Sequence, residues 1–329
     1  MATTSVQGPD STDEPVAVNS QENLSTAGEM SPACRAGALT TELIARPNPC
    51  LADVRVGEPI GEYHGDKEYL STSSLRDYGE GLAYYCARHV DKTVQAPESD
   101  ALSHGSKLHR WLEDLDDSLP WLAEVPASKC TATGGLGQTA QKWAKEHLPE
   151  ESRQFLASPA EMAQLRREIA AIREAYGSLL DSIVVGEVSL RWEQPLGDGR
   201  TAKMRCRPDA VTYDRFVDLK TTREKDPSRR FWKSILDYGY DLQDWVYQRG
   251  MEAYGMEPQP LLFLVVSTTT YACQCGTIPQ QLTRAAGVRA LEALTDLTTR
   301  RELDWWHHDD HGDVVEFFVP ESILGRTAQ

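Results

Sequence analysis

The spacing of apolar residues changes abruptly near position 183, and this change limits the possible folds more than any other feature. Residues 159–181 carry apolar side chains three and four positions apart, which is typical of an amphipathic helix. After residue 183 the side chains alternate, as they do in strands. The predicted elements there are strands Val184–Trp192, Ala202–Tyr213 and Phe216–Thr221, helix 229–254, strands Pro260–Ser267 and Thr270–Thr277, and helix 279–303. This order predicts an α/β domain with a mixed sheet.

The first 50 residues are poor in aromatic side chains and carry a net charge of −4. Such a segment buries too little apolar surface to offset its ordering entropy, so we expect a disordered acidic tail over residues 1–50. Residues 51–70 are transitional, and Ser73 or Ser74 is the expected N-cap of the first helix. We predict one domain over 51–329, with a helical part at 70–182, a sheet core at 183–278 and a C-terminal helix at 279–304.

Composition excludes several classes of protein. No apolar run approaches the ~20 residues that cross a bilayer, and the N-terminus resembles no secretory signal. Seven cysteines, an odd number scattered along 329 residues, indicate a reducing cytoplasm rather than a disulfide scaffold. With 34 Lys and Arg against 50 Asp and Glu, the chain has a net charge of −16, which by itself argues against a nucleic-acid partner.

The segment RCRPDAVTYDRFVDLKTT predicts a reactive hairpin. If its strands turn at Tyr213-Asp214, then Asp209 lies opposite Asp218, with Cβ atoms about 4.5–5.5 Å apart. Two carboxylates so placed repel each other unless a cation lies between them, and a divalent metal ion with oxygen ligands meets this need. Lys220 shares the strand face of Asp218 because side chains alternate. An acidic hairpin with ordinary surface charges is the alternative.

The wider pattern favours the metal site. Pro208-Asp209 followed by Asp218-Leu219-Lys220 resembles the signature of the PD-(D/E)xK nuclease superfamily. Glu187 precedes these two motifs in the sequence. Gln243 and Tyr247 follow them as Q-x3-Y on one helix face. His109, in GSKLH, lies upstream. Taken in order, these residues resemble the RecB-like branch, and most closely phage-type exodeoxyribonuclease VIII (RecE-like nuclease domains), over roughly residues 70–270.

The resemblance implies a restriction-endonuclease-like core with a mixed central sheet flanked by helices. It implies that Asp209, Asp218 and the Leu219 carbonyl hold Mg²⁺ or Mn²⁺, with His109 or Glu187 completing one or two sites. It also implies that Lys220 orients the attacking water, and that Gln243 and Tyr247 position the strand or the lysine. We expect no iron–sulfur cluster, since Cys273 and Cys275 form the only close pair, and no ATP, since no P-loop motif occurs.

The basic residues are concentrated around this motif. Residues 200–233 contain eleven Lys and Arg against five Asp and Glu, a net charge of +6. Arg205 and Arg207 share the strand face of Asp209 and either contact a phosphate or only balance the carboxylates. The remaining candidates either face DNA or form a solvated loop: Arg223, Lys225, Arg229 and Arg230. The overall charge therefore does not exclude a DNA substrate.

The resemblance implies an exonuclease that degrades linear double-stranded DNA from its ends, 5′→3′, and leaves 3′ single strands for recombination. It further implies a ring-shaped homo-oligomer and a partner recombinase that anneals single strands. Three alternatives stay open at this point. They are a structure-specific or defence endonuclease on the same core, a non-catalytic DNA-binding module, and an unrelated acidic α/β enzyme.

Overall fold

The computed structural model describes residues 51–94 and 100–306, so the acidic tail predicted for residues 1–50 lies outside the described residues. The helices are α1 Ile60–Gly65, α2 Thr72–Gly79, α3 Leu82–Tyr85, α4 Asp100–Asp114, α5 Gln138–His147, α6 Pro159–Asp181, α7 Pro227–Asp237, α8 Tyr240–Ala253 and α9 Gln280–Leu303. The strands are β1 Leu51–Val56, β2 Ala123–Glu124, β3 Leu156–Ala157, β4 Ile183–Gly186, β5 Val188–Pro195, β6 Thr201–Cys206, β7 Ala210–Thr212, β8 Phe216–Thr222, β9 Leu262–Ser267 and β10 Cys273–Gly276.

Regular structure begins earlier than the sequence predicts. The segment 51–70, interpreted as transitional, contains β1, which pairs antiparallel with β5, and the short helix α1. Helix α2 begins after Ser71, and the Ser71 N–H donates to the Ser74 hydroxyl at 3.3 Å. The N-cap predicted at Ser73 or Ser74 is therefore wrong, because both residues lie within the first helical turn.

Two predicted strands are each broken into two, and this break divides the chain between two sheets. Strand β4 is separated from β5 at Glu187, and β6 from β7 at residues 207–209. The sheets have the orders β1-β5-β6 and β10-β9-β8-β7-β4. Glu187 adopts a left-handed φ of 39°, and Pro208 has no N–H to donate to a ladder. The Glu187 N–H donates to the Asp209 carbonyl at 3.0 Å, so the two breaks lie side by side.

The helix predicted over 229–254 is two helices, α7 and α8. They meet at Gly239, which has a φ of 66°. A left-handed residue at this junction favours glycine, and it ends the regular helix. The second helix, α8, packs against strands β5 and β6.

Apolar side chains cover both faces of the five-stranded sheet. Phe263 and Val265 belong to a cluster built with α8 and α9, whereas Leu264 and Val266 belong to one built with α4 and α6. The sheet is mixed, since β8 and β9 run parallel and the other pairs antiparallel. This arrangement confirms the predicted α/β class. In the described part of the chain, no helix combines the length and apolarity that crossing a membrane requires.

Candidate active site

The hairpin of β7 and β8 brings Asp209 and Asp218 together. Ala210 pairs with Val217 and Val211 with Phe216, which is the register that the sequence predicts. The ladder ends at Ala210, so Asp209 lies one residue outside it on the N-terminal side. Asp209 Oδ2 accepts a hydrogen bond from the Leu219 N–H at 2.7 Å, and both aspartates are buried. The hairpin thus fixes one carboxylate against the backbone of the strand that carries the other.

Lys220 lies beside Asp218 on the same face of β8. Its Nζ forms an ion pair with Asp218 Oδ2 and lies 5.1 Å from the centre of the Tyr240 ring. Burial acts to lower the pKa of Lys220, but Asp218, Tyr240 and Asp209 together outweigh it, and the pKa is raised. The lysine is therefore held as an ammonium ion.

Helix α8 contributes the two polar side chains of the Q-x3-Y motif. Gln243 Nε2 donates to Asp218 Oδ1 at 2.6 Å, and the Tyr247 hydroxyl donates to the Arg207 carbonyl at 2.8 Å. Residues four apart share a helix face, so both reach the hairpin, as the sequence predicts. Gln243 orients a carboxylate, whereas Tyr247 holds the backbone at the strand break.

His109 approaches from α4 on the other side. Its Nδ1 lies 3.2 Å from Asp209 Oδ1, and its Nε2 lies 2.9 Å from the Leu219 carbonyl oxygen. Both neighbours are acceptors, so both ring nitrogens act as donors only in the imidazolium form. Burial lowers the pKa of His109, but the charge and hydrogen bond of the Asp209 carboxylate together raise it by more. The net shift of the pKa is upward.

The two carboxylates differ in their proton affinity. Burial alone raises the pKa of Asp209, but the charges of His109 and Lys220 outweigh it and lower the pKa. The pKa of Asp218 is raised because its burial dominates over the attraction of Lys220. Asp218 Oδ2 is buried, and its contact with Lys220 lacks regular hydrogen-bond geometry. The site thus contains an incompletely hydrogen-bonded carboxylate.

Glu187 lies at the strand break rather than within a strand, and its carboxylate forms an ion pair with Arg207. It also faces Glu113, which is not among the site residues predicted from the sequence. Burial, followed by the interaction with Glu187, raises the pKa of Glu113 to about 7. Its spacing in the sequence indicates that Glu113 belongs near the site, because it follows His109 by four residues and therefore shares its helix face.

A cavity of about 230 Å³ opens at this constellation. The start of α2 lines it through Ser71, Thr72 and Ser73. Six of the predicted site residues also line it, counting Arg207: His109, Glu187, Arg207, Asp209, Gln243 and Tyr247. Solvent and a small ligand therefore have access to the Asp209 side of the hairpin.

The donor chemistry suits a magnesium or manganese ion. Two carboxylates and one carbonyl supply oxygen ligands, which Mg²⁺ prefers, and His109 adds a nitrogen once it has lost a proton. Across residues 51–94 and 100–306, no three His, Cys, Asp or Glu side chains converge closely enough to hold a metal ion. Lys220 and His109 instead balance the two carboxylates. Asp218 Oδ2, which contacts Lys220 without a regular hydrogen bond, and Asp209, which lines the cavity, fit an additional cation.

Arg205 and Arg207 are both engaged with other parts of the chain. Arg205 is 6% exposed, lies 4.5 Å over the Tyr63 ring and donates to the Asp66 carbonyl at 2.5 Å. It anchors the segment around α1. Arg207 balances Glu187 and donates to the Glu58 carbonyl at 2.8 Å. The strand break at residues 207–209 interrupts the alternation on which a shared face with Asp209 depended.

The other four basic candidates are exposed. Arg223 and Lys225 lie in the loop after β8, and Arg229 and Arg230 lie in the first turns of α7. Arg229 is paired with Asp226 at 3.2 Å, and Arg230 with Glu224 at 3.7 Å. These pairs are solvated, so a phosphate can compete with the carboxylates for either guanidinium.

Comparison with known proteins supports this fold. A solved structure of a candidate exonuclease from Eubacterium rectale is similar, with a TM-score of 0.50 and 18% identity over 82% of this chain and 97% of the other. No curated protein matches the sequence significantly. A family model described as a PDDEXK-like domain of unknown function (DUF3799) matches residues 71–303. The chain therefore belongs to this PDDEXK-like family, within the PD-(D/E)xK nuclease superfamily.

Proposed function

We propose that this protein is a metal-dependent exonuclease that hydrolyses DNA phosphodiester bonds. The observation that carries the proposal is the arrangement of Asp209, Asp218 and Lys220. Asp209 accepts from the Leu219 N–H and lines the cavity, and the neighbouring Asp218 is ion-paired with Lys220. His109 and Gln243 hold this set from opposite helices.

Asp209, Asp218 and the Leu219 carbonyl would hold Mg²⁺ or Mn²⁺, with His109 and Glu187 at its edge. When bound, such an ion polarises the scissile phosphate and lowers the pKa of coordinated water. The incomplete hydrogen bonding of Asp218 supports this assignment. A divalent ion would also relieve the repulsion between the two carboxylates.

The chain's own residues supply orientation and charge. Lys220 is kept protonated by Asp218, so it cannot accept a proton and acts by orienting water and offsetting negative charge on the phosphate. Gln243 fixes one oxygen of Asp218, which leaves the other oxygen toward Lys220. Tyr247 fixes the backbone at Arg207 and thereby the position of Asp209.

The direction and setting of cleavage rest on the resemblance to exodeoxyribonuclease VIII. On that basis the enzyme degrades linear double-stranded DNA 5′→3′, as a ring-shaped oligomer, and delivers 3′ single strands to an annealing recombinase in the cytoplasm. An endonuclease on the same core is the competing function.

The test uses linear duplex DNA labelled in turn at its 5′ and 3′ ends, and covalently closed circular DNA, with Mg²⁺, Mn²⁺ or a chelator. We expect metal-dependent release of 5′-terminal nucleotides from the linear duplex only. Cleavage of the closed circle would favour the endonuclease. Full activity in a folded Asp209→Asn variant would overturn the site, and no cleavage of any DNA would favour a non-catalytic module.

A further inference from the structure

Helix α7 presents an apolar and aromatic face to solvent. Phe231 and Ile235 pack against the core, as the inward face of an amphipathic helix should. On the outward face Trp232 is 57% exposed and Leu236 is 56% exposed, and Tyr238, just after the helix, is 56% exposed. Trp232 and Leu236 are four residues apart and therefore adjacent on one face. Exposed large apolar side chains that cluster in this way mark an interaction surface.

This face is connected to the candidate active site through ring contacts. The Tyr238 ring lies 5.8 Å from the Tyr240 ring, and Lys220 Nζ lies 5.1 Å from the Tyr240 ring. Phe231, next to Trp232 in the chain, stacks on Tyr240 at 5.5 Å. Tyr240 thus links the exposed aromatic residues to Lys220 in the candidate active site.

Cations are interleaved with these aromatic residues. Arg229 lies one turn before Trp232, and its side chain is 83% exposed. Lys233 Nζ lies 5.9 Å from the Trp232 ring. Residues 223–238 carry five basic and three acidic side chains, a net charge of +2 in a chain of net charge −16. A buried protein–protein contact is usually depleted of lysine, whereas a strand of nucleic acid pairs its phosphates with such cations.

We propose that Trp232, Leu236 and Tyr238, here called the α7 face, stack on the bases of a single strand beside the scissile phosphodiester. This inference rests on the proposed nuclease function and specifies which form of the substrate the site receives. Stacking requires an unpaired base whose flat surface is free, which a single strand offers and an intact duplex does not. The neighbouring cations then hold the backbone phosphates of the same strand.

The test measures binding without cleavage, by fluorescence anisotropy of dye-labelled 15-nucleotide DNA in chelator. We expect Trp232→Ala to weaken binding of the single strand about five- to a hundredfold, the effect of one stacked base. Binding of a blunt duplex should change less than twofold. Trp305→Ala, which removes a 42% exposed tryptophan after α9, serves as the matched control and should change neither affinity.

A second measurement separates stacking from a general structural effect. An oligonucleotide of abasic residues lacks the stacking partner, so the wild-type protein and Trp232→Ala should bind it equally, and Trp232→Phe should retain most of the affinity for normal DNA. Equal binding of normal single strands by the wild type and Trp232→Ala would overturn the proposal, as would equal losses on single strand and duplex. A variant that instead dissociates an oligomer in sedimentation would assign the α7 face to a second copy of the chain.

Because no step of this binding test requires cleavage, its failure is distinguishable from failure of the nuclease assignment. Equal single-strand binding by the wild type and Trp232→Ala, with intact metal-dependent cleavage, would remove only the α7 face. Full activity of Asp209→Asn would remove the catalytic assignment and leave the binding result standing.

Discussion

Helix α4 carries two histidines five residues apart, and each belongs to a different cluster of buried charge. His104 contacts Glu168 at 2.7 Å and Glu161 at 3.4 Å. Lys107 pairs with Glu161 at 2.5 Å. We call this set, which joins α4 to α6, the α4–α6 clamp. His109 belongs instead to the candidate active site with Asp209, Asp218 and Lys220.

The two clusters contain similar charges but differ in how completely these are satisfied. The clamp balances two cations with two carboxylates, and Gln164 donates to the second oxygen of Glu168 at 2.8 Å. The active-site cluster leaves Asp218 Oδ2 without a regular hydrogen bond. His109 lines a cavity and its side chain is 32% exposed, against 11% for His104. Both clusters contain buried charges. The candidate active site is distinguished by a carboxylate with incomplete hydrogen bonding and by a cavity that gives access to the cluster.

The clamp should be the more important cluster for stability. Glu168→Leu removes a fully buried carboxylate and leaves His104 without its closest partner, so we expect a loss of about 3–5 kcal/mol in the free energy of unfolding. Urea denaturation measures this loss. Glu174→Leu, at an exposed position of the same helix, should stay within about 0.5 kcal/mol of the wild type. A folded Glu168→Leu protein that has lost cleavage would contradict the separation of the two clusters.

The active-site cluster should show the opposite response. Lys220→Ala removes the only side-chain cation in contact with Asp218 that the described residues provide, and we expect cleavage to fall about 10²–10³-fold or more. This corresponds to about 2.7–4 kcal/mol of transition-state stabilisation. Nucleotide release under single-turnover conditions measures the effect, with circular dichroism as the control for folding. Unchanged cleavage would remove Lys220 from the mechanism.

The part of the site that sequence predicts is the part set by local geometry. The register of Asp209 and Asp218 follows from alternation and a two-residue turn. The convergence of Gln243 and Tyr247 follows from helical spacing. Both rules act within a few residues, so no knowledge of the remaining chain is needed.

The part that sequence does not predict depends on distant contacts. The strand break at Glu187 follows a close approach of Gly186 to α4, where an added Cβ would lie 2.6 Å from the Glu113 Cα. Arg205 is buried because the segment containing Tyr63 folds over it. Glu113 is far from Gly186 in sequence, and Tyr63 is far from Arg205. Without the position of Tyr63, an arginine beside a catalytic motif is interpreted as a phosphate ligand.

The pH dependence of stability should report on the clamp. Burial lowers the pKa of His104, but Glu161 and Glu168 raise it to about 9, above the ~6.5 of an unfolded chain. The folded state therefore holds a proton that the unfolded state has lost between these values. The stabilisation is complete below about pH 6.5 and is lost as the pH rises through about 9. Urea unfolding should show a decline on the order of 1–3 kcal/mol that His104→Gln lacks. Parallel declines in both proteins would assign it to other groups.

The smallest expected effect concerns the exposed arginines of α7. The double variant Arg229→Ala, Arg230→Ala should leave the unfolding free energy within about 0.5 kcal/mol, because both ion pairs are solvated. It should reduce the slope of log affinity against log salt concentration for DNA by about one to two. Arg284→Ala, an exposed arginine on α9, is the control and should leave the slope unchanged. An unchanged slope in the double variant would show that exposure next to the site does not suffice for phosphate binding.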